Sequence, residues 1–316
     1  MDLRQLDTLV AVAEHRTFSA AATALHTVQS NVSSHIAKLE RELAVELVDR
    51  GAGRLTRAGE VVVQRARRVH AELAALTNDL ASVQGEVSGR TLLGMVGTTS
   101  RWLTAPLVEG LLEQHPGVEL VLVEATTTGL LPQVIAGRIE QSIVNLPIAD
   151  PDFDVEILFD EELVCVTPTN HPLAELDSVD LVELARHPLL LGPPGNAVRD
   201  VLDRVASDVD VQLDPLVQID GVRLMASLAI DGFGPTVVPV TAMVGTSDGD
   251  WRSVPIEEAP RRRVGLVRHS RALPSAPGRA VTRVLRETVI EQAALVDGIH
   301  AAETRGDPPG TSGAEQ

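Results

Sequence analysis

The chain is poor in several residue types, and each shortage removes a class of function. Among 316 residues there is one cysteine, no tyrosine, and an aromatic content of only 2%. A surface that grips single-stranded nucleic acid by stacking bases on rings is therefore not expected. A lone Cys165 cannot form a disulfide within the chain, so a switch built on two cysteines of one chain is excluded. Its place in the apolar run Leu163-Val164-Cys165-Val166 reads as a small core residue. No stretch reaches the roughly 18 apolar residues of a membrane span, and the N-terminus lacks the apolar core of a signal peptide. The expected location is the cytoplasm, with no membrane partner. Also missing are a Gly-x-Gly-x-x-Gly turn, a phosphate loop, a nucleophile elbow and the His-Glu-x-x-His and Cys-x-x-Cys metal patterns. No catalytic residue, metal or cofactor is expected, and the chain reads as a non-enzyme.

What is present is a chain long enough for two or three units, with 44% hydrophobic residues to build their cores. The net charge of −17 opposes binding to phosphate when taken whole. Its distribution matters more. Residues 1–58 hold seven Lys and Arg against seven Asp and Glu, so the head is neutral and the acidity lies beyond it.

Apolar periodicity gives the elements. Leu3, Leu6, Leu9, Val10 and Ala13 share one helical face. Ser19 is placed to cap a second helix over 20–25, His26-Thr27 makes a tight turn, and a third helix runs over 28–42 with Val32, Ile36 and Leu39 inward. Gly51, Gly53, Arg54, Leu55 and Thr56 suggest a short hairpin. A long helix over 59–84 follows, in which Val62, Ala66, Val69, Leu73, Leu76, Leu80 and Val83 alternate by four and three, a heptad seam suited to a second copy of itself. Gly85 and Gly89 end it. Short apolar strands then alternate with helices: strands at 92–96, 118–123, 142–144, 163–166, 189–191, 236–238 and 264–267, helices at 103–114, 130–136, 225–230 and 279–290. The tail 306–316 is rich in Gly, Pro and Ser and reads as disordered.

The head carries the specific signal. Leu3-Arg4-Gln5-Leu6, Phe18-Ser19-Ala20-Ala21-Ala22, Leu25-His26, Gln29-Ser30-Asn31-Val32-Ser33, Ile36, Leu39-Glu40, Leu43, Leu47, Arg50, Leu55-Thr56 and Ala58-Gly59 occur in the order seen in LysR-type transcriptional regulators. Further on the resemblance is patchier: His115-Pro116-Gly117-Val118, the Gly137 turn, His171-Pro172-Leu173 and 230–239. The resemblance implies a winged helix-turn-helix at 1–58, a linker and dimerisation helix at 59–88, and a two-lobed α/β effector domain at 89–300. Lobe 1 would take about 89–162 and 267–300, lobe 2 about 163–266, and 301–316 would be tail. A recognition helix needs short polar side chains at its start so that base edges can be approached. Gln29, Ser30, Ser33 and Ser34 meet that need, and His35, Lys38, Arg50 and Arg54 are candidates for bases or phosphates. Two departures stand out: Val28 replaces the common Ser or Thr before the Gln, and Ser34 stands where a long side chain is common.

In α/β sheets ligands gather beyond the carboxyl ends of strands, and hydroxyls at a helix start favour anions. That selects Thr98, Thr99 and Ser100, then Thr126, Thr128 and Asn145, and Asn196 from the other lobe, as candidate contacts of a small-molecule effector. Glu140 and Ser142 replace the usual Asp and Ala at a position expected to floor the cleft. Implied partners are a double-stranded operator, the effector, a second copy in a dimer or tetramer, and RNA polymerase. An exported solute-binding protein would explain 90–300 but not the head. A ligand-independent architectural DNA protein or repressor would explain the head but not the second module.

Overall fold

The structure, a computed structural model, describes residues 1–51, 53–83, 87–257 and 261–302, with the side chains of 81–83 outside the description. The head packs α1 (Leu3–His15), α2 (Phe18–Ala24) and α3 (Gln29–Leu43) around one core, closed by the two-residue strands β1 (Val48–Asp49) and β2 (Arg54–Leu55). Leu9, Val32, Ile36, Leu39 and Leu47 are wholly buried there. The cap of α2 differs from expectation. Thr17, not Ser19, accepts from the Ala20 amide, and Ser19 lies exposed in the first turn.

The long helix α4 (Arg57–Val83) spans about 40 Å. Its seam divides in two. Val63 and Ala66 are buried in the head core and Val62 packs against it, so the first part of the pattern serves the head. Beyond it Val69, Leu73, Leu76 and Leu80 are 40–60% exposed. Here α4 is also tied to the second module: the Ala276 amide and Arg279 donate to Asp79, and Arg68 meets His269.

That module has two sheets. The first runs in the order β13-β6-β12-β5-β3-β4, from β3 (Gly89–Met95), β4 (Val118–Glu124), β5 (Gln141–Asn145), β6 (Phe153–Glu161), β12 (Arg262–His269) and β13 (Ile299–Ala301). The second runs β11-β7-β10-β8-β9, from β7 (Leu163–Pro168), β8 (Leu189–Leu191), β9 (Pro215–Gln218), β10 (Thr236–Pro239) and β11 (Trp251–Pro255). Helices α5 (Gly97–Gln114), α6 (Thr127–Ile135) and α10 (Ala276–Ala293) belong with the first; α7 (Leu181–Leu184), α8 (Ala197–Asp208) and α9 (Val222–Ile230) belong with the second. Strands β3, β4 and β5 are parallel, and β5 is almost entirely buried, although only Ile143 and Val144 of its five residues are apolar. The chain returns to lobe 1 earlier than expected, because all of β12 from Arg262 pairs with β6. Helix α5 starts at Gly97, six residues before the expected start, so Thr98, Thr99 and Ser100 lie inside its first turn. Glu140 does not floor a cleft. Its carboxylate accepts from the Ser275 amide and hydroxyl and from Thr91, at the start of α10, where the helix dipole favours it. The residues expected as a disordered tail lie, from 303 on, outside the described residues.

Where the chain crosses between lobes, Glu161 and Arg262 face each other in register, 0% and 3% exposed. Arg262 Nε donates to Glu161 Oε1 at 2.7 Å. The same guanidinium reaches Thr98 Oγ1 in lobe 1 at 2.9 Å, and Glu161 Oε2 accepts the Thr241 amide after β10 of lobe 2 at 3.0 Å. Removing one member of such a pair strands the other charge in the interior. Glu161→Ala is expected to destabilise the effector domain by about 3–5 kcal/mol, read as a lowered urea midpoint of its unfolding transition.

Candidate DNA interface and effector cleft

The start of α3 is exposed and uncapped. Val28 has an extended backbone and offers no side chain to the first-turn amides. The helix therefore presents donors and the positive end of its dipole to solvent, which suits a phosphate or a base edge. Gln29, Ser30, Ser34 and Lys38 are exposed, and Ser33 is half-buried. Asn31 Nδ2 donates to Thr27 Oγ1 at 2.9 Å and holds the preceding turn. His35 is turned partly inward. Thr8 donates its hydroxyl to the Arg4 carbonyl at 2.6 Å and meets His35 Nδ1 at 3.0 Å, which leaves Nδ1 as the donor in that contact.

Glu40, part of the head pattern but not a candidate contact in the sequence, organises the wing. Its Oε1 accepts the Leu47 and Val48 amides at 2.9 and 3.2 Å, and Oε2 lies 3.5 Å from Arg50. One carboxylate on α3 thus sets the position of β1 and of Arg50. Arg54 is exposed on β2.

The effector candidates separate by environment. Thr98 is buried and occupied by Arg262. Thr99 is wholly buried, and its hydroxyl, like Asn145 Oδ1 and Ser142 Oγ, is a buried atom with no hydrogen-bond partner among the described residues. Ser100 is half-buried, 3.3 Å from Thr104 Oγ1, in a groove also lined by Arg101, Glu124 and Arg223. These positions gather at the carboxyl ends of β3 and β5. Thr126 and Thr128, beyond β4, bond each other at 3.0 Å while Thr126 caps α6. Asn196 is spent at the start of α8, where Oδ1 accepts the Val198 and Arg199 amides. Two further contacts cross between lobes and were not legible as site residues. Arg101 donates to the Val244 and Gly245 carbonyls at 3.1 and 3.2 Å, and Arg223 at the start of α9 pairs with Glu124 at the end of β4. Among the described residues no group of three or more His, Cys, Asp or Glu is placed to hold a metal ion, and no helix is long and apolar enough to cross a membrane.

Comparison with known proteins agrees with this geometry. Residues 3–60 match the model of the bacterial regulatory helix-turn-helix of the LysR family, and residues 84–290 match the LysR substrate-binding domain. The chain belongs to the LysR family. It is a sequence-specific DNA-binding transcriptional regulator with an effector-binding domain. The DNA-binding transcriptional dual regulator OxyR of Escherichia coli is 32% identical over 295 residues, covering 92% of this chain and 95% of that protein. The hydrogen peroxide-inducible genes activator of Pectobacterium carotovorum is 30% identical over 297 residues, with 92% and 96% covered. In fold, a cysteine-to-aspartate variant of full-length OxyR from Pseudomonas aeruginosa superposes with a TM-score of 0.76 at 24% identity, over 96% of this chain and 99% of that one.

If Glu40 positions the wing, Glu40→Ala leaves the Leu47 and Val48 amides without their acceptor. The expected result is a loss of about 1–3 kcal/mol in head stability, with weaker binding to specific and random duplexes alike. Thermal unfolding and fluorescence anisotropy measure the two effects.

Proposed function

We propose that the exposed start of α3 enters the major groove of an interrupted inverted repeat, one copy per half-site, with Gln29, Ser30, Ser33 and Ser34 nearest the bases. The observation that carries this is the uncapped first turn of α3, its polar residues outward and Val32, Ile36 and Leu39 buried behind it. Lys38, Arg50 and Arg54 contact phosphates, and His35 supports the helix from its α1 side. Gln29→Ala is expected to cost about 1–3 kcal/mol against the preferred operator while binding to random duplex is unchanged; Arg50→Ala weakens both equally. Selection of binding sites with the purified protein, followed by competition titrations, tests this. Loss of random-sequence binding in Gln29→Ala would assign that residue to the backbone instead.

The exposed half of the α4 seam supports a homodimer, and the effector domains join dimers into a tetramer. Four large apolar side chains on one helix face, left uncovered by their own chain, support this. With Leu73→Asp and Leu76→Asp together, sedimentation is expected to show monomers with reduced operator affinity. A variant that assembles like the parent would move the interface elsewhere.

The effector is a small molecule held between the lobes near Thr98, Thr99, Ser100 and Asn145, with Thr126, Thr128 and Asn196 at the rim. It shifts the lobes between two settings, alters the spacing of the paired heads, and so regulates access of RNA polymerase. Hydrogen peroxide, which names several relatives, is not read through a thiol in this chain. Peroxide attack needs an accessible thiolate, and burial pushes the Cys165 thiol up to about 12. Cys165→Ser is expected to leave operator binding and its response to peroxide the same as in the parent, by anisotropy with and without peroxide. A peroxide response that disappears in Cys165→Ser would overturn this reading.

A further inference from the structure

Many arginines of the effector domain have a carboxylate of their own, among them Arg199, Arg262, Arg263, Arg268 and Arg279. The junction between α4 and lobe 1 departs from this. Arg65 and Arg68 are three residues apart on α4 and so share a face of that helix. Arg271 lies in the turn that follows β12, closed by the Ala272 amide on the His269 carbonyl. Among the described residues, none of these three side chains makes an ion pair with a carboxylate. The chain has a net charge of −17, so carboxylates are not scarce.

The three cations meet at His269, a buried residue at the end of β12. Arg68 Nη2 donates to His269 Nδ1 at 2.8 Å, and the Arg271 amide donates to the same nitrogen at 3.0 Å. Nδ1 is therefore the acceptor, and the proton of the neutral ring sits on Nε2. That Nε2 also meets the Arg68 guanidinium, donor against donor. The Gly137 turn of lobe 1 holds the stem of Arg68 from another side: a Cβ at that glycine would be 3.3 Å from Arg68 Cγ. Burial first, and then Arg65 and Arg271, hold Arg68 below its ordinary value. Burial, Arg68, Arg271 and Arg65 do the same to His269. Glu72 on α4 and Asp152 ahead of β6 act in the opposite direction on Arg68, but both are exposed and neither is ion-paired with it.

We propose that this junction binds a small phosphate-bearing anion, held by Arg65, Arg68 and Arg271 together with the His269 Nε2–H. The number of donors selects the chemistry. Three guanidinium groups on two elements repel one another, and a single carboxylate charge offsets only part of that repulsion. A phosphate group carries about −1.5 to −2 charges and three strong acceptor oxygens, enough to accept from both elements at once. Arginine suits such an oxoanion because its planar fork bonds two oxygens together. The site is separate from the cleft between the lobes, since its residues come from α4 and lobe 1 alone, and it stands whether or not an effector binds in that cleft. An anion here ties the linker helix to the strand that begins at Arg262, and so stiffens the connection between the head and the effector domain.

The test titrates pyrophosphate into the full-length protein by calorimetry, with potassium chloride at equal ionic strength as the control. Pyrophosphate, and not chloride, is expected to bind and to slow hydrogen exchange in segments 65–72 and 268–272. Arg65→Gln with Arg271→Gln removes two exposed side chains and leaves Arg68 on His269. Binding should weaken by about tenfold or more. Arg204→Gln, which removes an exposed arginine from α8 of lobe 2, should bind like the parent. No binding to the parent, unchanged binding to the double variant, or an equal loss in Arg204→Gln would overturn the site. Operator titrations over a range of salt concentrations separate a free anion from the phosphates of DNA. The slope of log affinity against log salt should be the same in the double variant and the parent. A slope shallower by about two would mean that Arg65 and Arg271 neutralise the DNA backbone instead, and the small-anion site would fall.

Discussion

The buried pair between Glu161 and Arg262 is the interaction on which the two-lobed module depends. Both charges have been taken out of water where two crossing strands meet, and neither is stable there without the other. Each partner reaches into a different lobe. Arg262 holds Thr98 at the start of α5, and Glu161 holds the Thr241 amide after β10. A change in the angle between lobes must therefore act on the helix start that forms one wall of the cleft. The other cross-lobe contacts, Arg101 to carbonyls and Arg223 to Glu124, are exposed and individually weak. The hinge is fixed by a strong buried contact and the cleft mouth by weak ones, which is the arrangement a ligand can work against.

The same module is coupled to the linker. Asp79 on α4 accepts at the start of α10, whose first turn also receives Glu140. Arg68 meets His269 at the end of β12, the strand that begins with Arg262. Burial and the neighbouring Arg68 both hold His269 below its ordinary value, so the ring stays neutral and tolerates the arginine. Strand β12 thus runs from the hinge to the linker helix, and the linker helix enters the core of the DNA-binding head. A ligand acts along this route only through its different affinities for the two lobe settings.

Much of this was legible in residue spacing. Val32, Ile36 and Leu39 place α3, and the short apolar runs at β3, β7, β8 and β10 are strong signals because buried strands tolerate little else. Less legible are polar residues with two plausible uses. Asn196 reads equally as a ligand contact and as a cap, and its side chain caps a helix whose buried face follows the Val198, Leu202, Ala206 period. Glu140, expected at the cleft floor, serves a helix start 135 residues away. The Thr98 hydroxyl accepts from Arg262, which lies 164 residues on. The middle arginine of Arg261-Arg262-Arg263 turns inward by the alternation of a strand, but nothing local identifies Glu161 as its partner. Long-range polar pairing is the part that periodicity cannot supply.

The central claim is that one buried ion pair makes the two lobes answer together. Hydrogen exchange in Arg262→Met tests it most directly, followed at the segments around Thr98 and around Thr241. Loss of protection in both lobes at once, with the outer strands unchanged, is the predicted result. Loss confined to one lobe, or protection equal to the parent in both, would contradict it.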